Sequence, residues 1–84
     1  MRKIIKREGK FVRLYWYSSS LRERDRLIRA YFHLKNAGYD SVDFKDSNMV
    51  CSLRMIIDGP QQERLLMQRE AERIVEKNVH AEII

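Results

Sequence analysis

The strongest strand signal along the chain is a mostly apolar run at residues 10–17, KFVRLYWY, rich in aromatic and branched side chains and free of Gly and Pro. That composition predicts a strand. Residues 3–7, KIIKR, predict a shorter strand in front of it, with Glu8-Gly9 as a tight turn in which Gly supplies a positive φ. Ser20 and Glu23 form an S-x-x-E capping box that starts a helix over residues 21–37. Its apolar positions, Leu27, Tyr31 and Leu34 with Ile28 beside them, share one face, and Gly38 is a natural stop. Val42 and Phe44 alternate with Asp43 and Lys45 as a short half-exposed strand, and Asp46-Ser47-Asn48 reads as a turn. Residues 49–57, MVCSLRMII, predict a second strong strand. Asp58-Gly59-Pro60 breaks it, with Pro60 suited to a first helical position. A second helix is expected over residues 60–77, with Met67, Ala71, Ile74 and Val75 buried, Asn78 as its end, and VHAEII as a closing strand.

The expected fold is therefore α+β with the order β-α-β-β-α-β and an extra strand at the front. In element order this resembles the ferredoxin-like, split βαβ two-layer sandwich. The resemblance implies two helices on one face of the sheet, with residues 10–17 central and flanked by residues 49–57 and 79–84. A hairpin between residues 3–7 and 10–17 competes for one of those places. Either the N-terminal segment is a loose basic arm or the last strand is displaced. The expected core is Val12, Leu14, Trp16, Leu27, Tyr31, Leu34, Phe44, Cys51, Leu53, Met55, Met67, Ala71, Ile74 and Val75.

With both helices on one face, the other face of the sheet is open. Arg13 orients the 10–17 strand, because an unpaired charge under the helices is costly. Val12, Leu14 and Trp16 then point inward, and Phe11, Arg13, Tyr15 and Tyr17 point outward. In residues 49–57 the apolar set Met49, Cys51, Leu53, Met55 and Ile57 points inward, leaving Val50, Ser52, Arg54 and Ile56 outward.

Length and charge narrow what such a face does. The 84 residues fit one domain, 1–84, whose core is thin: a chain this short buries only about 60% of its unfolded surface. Work on a surface suits it better than an enclosed active site. The net charge is +5, but residues 1–39 carry +8 and residues 40–84 carry −3, so the first half favours an anionic partner. A lone cysteine, Cys51, rules out an internal disulfide and points to a reducing, intracellular (cytoplasmic) setting. The apolar runs are too short to span a membrane, and the basic start has no apolar stretch of signal-peptide length.

No catalytic apparatus and no cofactor is expected. His33 and His80 lie far apart, Ser18, Ser19 and Ser20 are explained by strand exit and capping, and Asp40, Asp43, Asp46 and Asp58 punctuate turns without calcium-loop spacing. One Cys and two His, widely spaced, do not suit a structural zinc site. The expected function is nucleic-acid binding without catalysis. Lys6, Arg7 and Lys10 supply a basic arm with Arg2 and Lys3. Phe11, Tyr15 and Tyr17 stack unpaired bases of single-stranded or irregular RNA or DNA, while Arg13 and Arg54 contact phosphate or stack. No stretch matches the RNP1 signature of RNA-recognition motifs. Arg22, Arg26, Arg29 and His33 form one stripe on the first helix, a phosphate-contacting ridge or an ordinary solvated face. The alternative partner is a protein: Tyr and Arg are enriched at interfaces too, and Ile83-Ile84 would end an uncovered strand. That reading covers a homodimer and a small regulator docking on a larger protein, of the size common among phage- and mobile-element-encoded inhibitors.

Overall fold

A computed structural model describes residues 1–47 and 49–80. The elements are β1 (Arg2–Glu8), β2 (Phe11–Ser18), α1 (Leu21–Asn36), β3 (Val42–Ser47), β4 (Val50–Asp58) and α2 (Gln61–His80). The four strands form one antiparallel sheet in the order β1-β2-β4-β3. Since β4 is antiparallel to both its neighbours, β2 and β3 run parallel, joined through α1 with β4 between them. Residues 11–18 are thus flanked by residues 50–58, as expected.

The second half differs. Residues 79 and 80, expected in a closing strand, are the last turn of α2, and the other residues of that expected strand, 81–84, lie outside the described residues. The place beside β2 belongs to β1, antiparallel to it from Arg2↔Tyr17 to Glu8↔Phe11. The chain order is thus β-β-α-β-β-α. The four-stranded antiparallel sheet with two helices is compatible with a small two-layer sandwich, but the ferredoxin-like chain order is not reproduced: the edge strand arrives from the N-terminal side, through a turn in which Gly9 has φ 58°. Val79 explains why the helix continues. It falls on one helical row with Ala71 and Val75, and all three are buried. Asn78 does not end the helix either; its Nδ2 donates to the Ile74 carbonyl four residues back at 2.8 Å.

One hydrophobic cluster joins both helices to one face of the sheet: Val12, Leu14 and Trp16 from β2, Cys51, Leu53, Met55 and Ile57 from β4, Leu27, Ala30 and Leu34 from α1, and Ala71, Val75 and Val79 from α2. Tyr31, Phe44, Met67 and Ile74 pack at its border, half-buried. Met49, expected inward, is 81% exposed, because β4 begins at Val50 and the alternation does not extend into the turn.

Local chemistry fixes the ends of α1. Ser20 caps its start, accepting from the Glu23 N–H at 3.4 Å. The other half of the expected capping box is redirected: the Glu23 carboxylate takes the Ser18 hydroxyl at 2.6 Å, tying the end of β2 to the first helical turn. That bond leads the effects holding the Glu23 carboxyl below its usual range. At the other end Gly38, φ 99°, closes a Schellman turn in which the Tyr39 N–H donates to the Leu34 carbonyl and the Gly38 N–H to that of Lys35. Tyr39 then turns inward, and its hydroxyl donates to Glu70 of α2 at 2.7 Å. Burial first, and the Glu70 carboxylate second, push this phenol well above its ordinary range.

Candidate functional site

Residues paired directly across antiparallel strands lie on the same face, so the register of the sheet lays out its open side row by row. The first row is Arg2, Tyr17, Ser52 and Lys45; the second is Ile4, Tyr15, Arg54 and Asp43; the third is Lys6, Arg13 and Ile56; the fourth is Glu8, Phe11 and Asp58. The outward set expected from β2 and β4 is here, with Val50 paired to Ser47 just beyond the first row. The rows of lone cations are the first and third, with the aromatic and apolar residues Tyr15 and Ile4 between them.

Tyr15 and Tyr17 present parallel rings, 8° from coplanar, with centroids 6.1 Å apart. Phe11, Ile4, Ile56 and Val50 are each 42–43% exposed, so the face is apolar as well as basic. Arg54 is committed to a neighbour: its Nε and Nη2 donate to the two Asp43 carboxylate oxygens at 2.9 and 2.6 Å. The pair holds the Asp43 carboxyl below its usual range and raises Arg54 further. Arg13 is different. Its Nε is buried without a hydrogen-bond partner. Arg13, Tyr15, Asp40, Asp43, Arg54 and Ile56 border an open cleft of about 380 Å³.

The basic arm is a strand, and its pleat divides its charges. Arg2 and Lys6 stand on the open face beside Tyr17 and Arg13. Lys3 and Arg7 stand on the helix face with Ile5. There the Lys3 ammonium binds Glu72 at 2.5 Å and Glu76 at 3.7 Å, and Arg7 Nη2 donates to Gln68 at 3.4 Å. Arg7, a candidate binding residue, therefore sits on the opposite side of the sheet from Phe11, Arg13, Tyr15 and Tyr17. Lys10 lies in the exposed β1–β2 turn. Arg22, Arg26 and Arg29 belong to α1, in the other layer. Arg22 and Arg29 are exposed, while Arg26 Nη1 donates to the Val79 carbonyl in the last turn of α2 at 3.0 Å. The structure does not bring this stripe together with the tyrosines.

Sequence reasoning missed Ile4 and Lys45 as members of the open face, along with the Arg54–Asp43 pairing. Only the register supplies these. Asp43 and Arg54 are 11 residues apart, with no signal in their spacing.

Cys51 is buried, its thiol donates to the Ser18 carbonyl at 3.4 Å, and burial, with Asp46 adding to it, pushes its pKa up. His33 is exposed on α1. Among the described residues no three His, Cys, Asp or Glu side chains converge on a metal-sized site, and no helix is long and apolar enough to cross a membrane. No family model, no curated protein and no solved structure matches this chain.

Proposed function

We propose that this chain is a non-enzymatic, intracellular nucleic-acid-binding module whose open sheet face stacks unpaired bases of single-stranded or irregular RNA or DNA. The observation that carries this reading is the parallel Tyr15–Tyr17 pair on the open face, with Arg2 and Lys45 in the row of Tyr17 and Lys6 and Arg13 in the row beyond Tyr15. Every base has a π-face, so an aromatic platform on a sheet binds single strands without needing a particular sequence. Cations at its margins attract the phosphate backbone and make affinity fall with salt. The five cations of the face outnumber its three carboxylates, Glu8, Asp43 and Asp58.

A second copy of the chain fits less well. Stacking two such faces sets cations against cations. The exposed Ile4, Phe11, Val50 and Ile56 favour one other reading, an acidic protein docking on the same face.

A binding titration against single-stranded RNA, single-stranded DNA and duplex, at two salt concentrations, separates these readings. The expected result is salt-dependent binding that prefers a single strand to duplex. Absence of salt-dependent binding to all three near physiological ionic strength eliminates the nucleic-acid reading. A strict monomer in light scattering at high concentration eliminates the homodimer.

A further inference from the structure

Lys6 and Arg13 occupy directly opposed positions of β1 and β2 and point to the same open face. Opposed residues of an antiparallel pair have Cβ atoms about 4.5–5.5 Å apart, and like charges there are destabilising. The third member of the row is Ile56. Glu8 and Asp58 stand on the diagonals of the next row, about 7–8 Å away, and Asp40 and Asp43 border the cleft that Arg13 lines. Among the described residues no carboxylate forms an ion pair with Lys6 or Arg13. An anion placed between the two opposed cations relieves their repulsion and accepts charge-assisted hydrogen bonds from both. Arg54, on the next row, makes the contrast: its fork is already filled by Asp43.

We infer that Lys6 and Arg13 form a subsite for one phosphodiester of a bound strand, placed so that the adjoining base lies on Tyr15. Tyr15 is two residues from Arg13 on the same face, about 6.6–6.8 Å along β2. One stretched nucleotide spans such a step. A non-bridging phosphate oxygen accepts from the exposed part of the Arg13 guanidinium, and Lys6 adds a second, mobile donor from the sheet edge. This inference rests on the nucleic-acid reading and adds to it a position for the backbone.

The test uses the whole chain labelled with ¹⁵N, with the Arg13 Nε–Hε resonance as reporter. Three probes are titrated at constant ionic strength: an abasic deoxyribose-phosphate hexamer, a base-bearing hexamer of the same length, and hexaglutamate. The abasic strand is expected to move the Arg13 Nε–Hε signal saturably. Lys6→Gln is expected to weaken that binding about tenfold, the worth of one charge-assisted hydrogen bond, and to lower the salt slope by about 0.7. In chloride without probe, the same substitution is expected to raise the urea midpoint, since it removes a like-charge neighbour. A merely structural Lys6 would shift the midpoint the other way. The subsite is overturned if the Arg13 signal does not respond to the abasic strand, if Lys6→Gln responds as strongly as the parent, or if hexaglutamate binds there as tightly as the strand. Failure of the two readings is distinguishable. A base-bearing strand that binds without moving Arg13 refutes the subsite alone. An abasic strand that binds as tightly as the base-bearing one refutes stacking and leaves the subsite standing.

Discussion

The two faces of β1 carry two cations each and put them to different use. On the helix face, Lys3 binds Glu72 and Glu76 and Arg7 reaches Gln68, so those charges fasten the edge strand to α2. On the open face, Arg2 and Lys6 line up with Tyr17 and Arg13, and no acidic side chain stands directly opposite either. A stretch that looks like one basic arm is thus half fastening and half exposed charge. The same division runs through the sheet: Trp16 is fully buried among the helices, while Tyr15 and Tyr17 on either side of it in sequence are half-exposed on the far face. Net charge and aromatic content say how much of each property exists; only the pleat says which part is available to a partner.

The difference between the faces is broken most severely from the inside. Trp16→Ala is expected to cost about 3–5 kcal/mol, because it removes the largest fully buried side chain and leaves a cavity under both helices. A chain of this kind has only about 5–15 kcal/mol to lose, so the urea transition should shift far toward zero denaturant or vanish. Tyr15→Ala, one residue away, is expected to move the midpoint by far less. A Tyr15→Ala loss matching that of Trp16→Ala would mean that the open face is part of the core.

The next effect belongs to the open face itself. Tyr15→Ala and Tyr17→Ala are each expected to weaken single-strand binding by about 1–3 kcal/mol while leaving the slope of log affinity against log salt unchanged, since stacking releases no counterions. A fluorescence titration over a range of salt checks both quantities. Loss of slope with retained affinity would assign the tyrosines to backbone positioning instead.

How much of this was legible in the sequence depends on whether a signal was local. The alternation across β2 gave the right inward and outward sets because period two is intrinsic to a strand. The cap at Ser20 and the stop at Gly38 were legible for the same reason, each being a short-range steric and hydrogen-bonding requirement. The end of α2 was not. Val79 is a branched residue of strand-like character, and only its place beneath α1 on the Ala71–Val75 row makes helix the better outcome. Which strand takes the edge beside β2 was legible only as a conflict between two candidates. The candidate site divides likewise: Phe11, Arg13, Tyr15 and Tyr17 followed from one strand's periodicity, whereas the reassignment of Arg7 to the helix side and the pairing of Arg54 with Asp43 depend on long-range register.

Smaller effects come from the helix-side clamp. Lys3→Met is expected to cost up to about 1 kcal/mol, as for a partly exposed ion pair, with single-strand affinity and salt slope unchanged. Arg7→Ala should behave the same way. Hydrogen bonding to Glu72 raises the Lys3 pKa above its ordinary 10.5. A raised value in the folded state means that the contribution is fully present below 10.5 and is lost as pH climbs through the folded value. The stability difference between the parent chain and Lys3→Met should therefore shrink above about pH 10.5 and hold steady between pH 6 and 9. A salt slope that falls on Lys3→Met or Arg7→Ala would contradict the division of β1 into a fastening face and a binding face.

The smallest stability change and the most specific charge change meet at Asp43. Its carboxylate accepts two bonds from Arg54, and that contact, the largest influence on it, lowers its pKa below 3.8. A lowered value in the folded state means that the contribution is present above the unfolded pKa and disappears as pH falls through the folded one. Because both side chains are more than a third exposed, solvent screening limits the pair to a few tenths of a kcal/mol at neutral pH. Asp43→Asn should thus barely move the urea midpoint at pH 7, and any difference should fade as pH falls below 3.8 and the carboxylate protonates. Its effect on binding should be opposite in sign and easier to see. Removing the carboxylate releases the Arg54 guanidinium beside Tyr15 and leaves the face one positive charge richer. Affinity for a single strand should rise, and the salt slope should steepen by up to about 0.7, the release expected for one further phosphate contact. If Asp43→Asn weakens binding instead, the pair acts as a unit on the bound strand, with Asp43 itself accepting from a base, and Arg54 belongs among the residues that select bases.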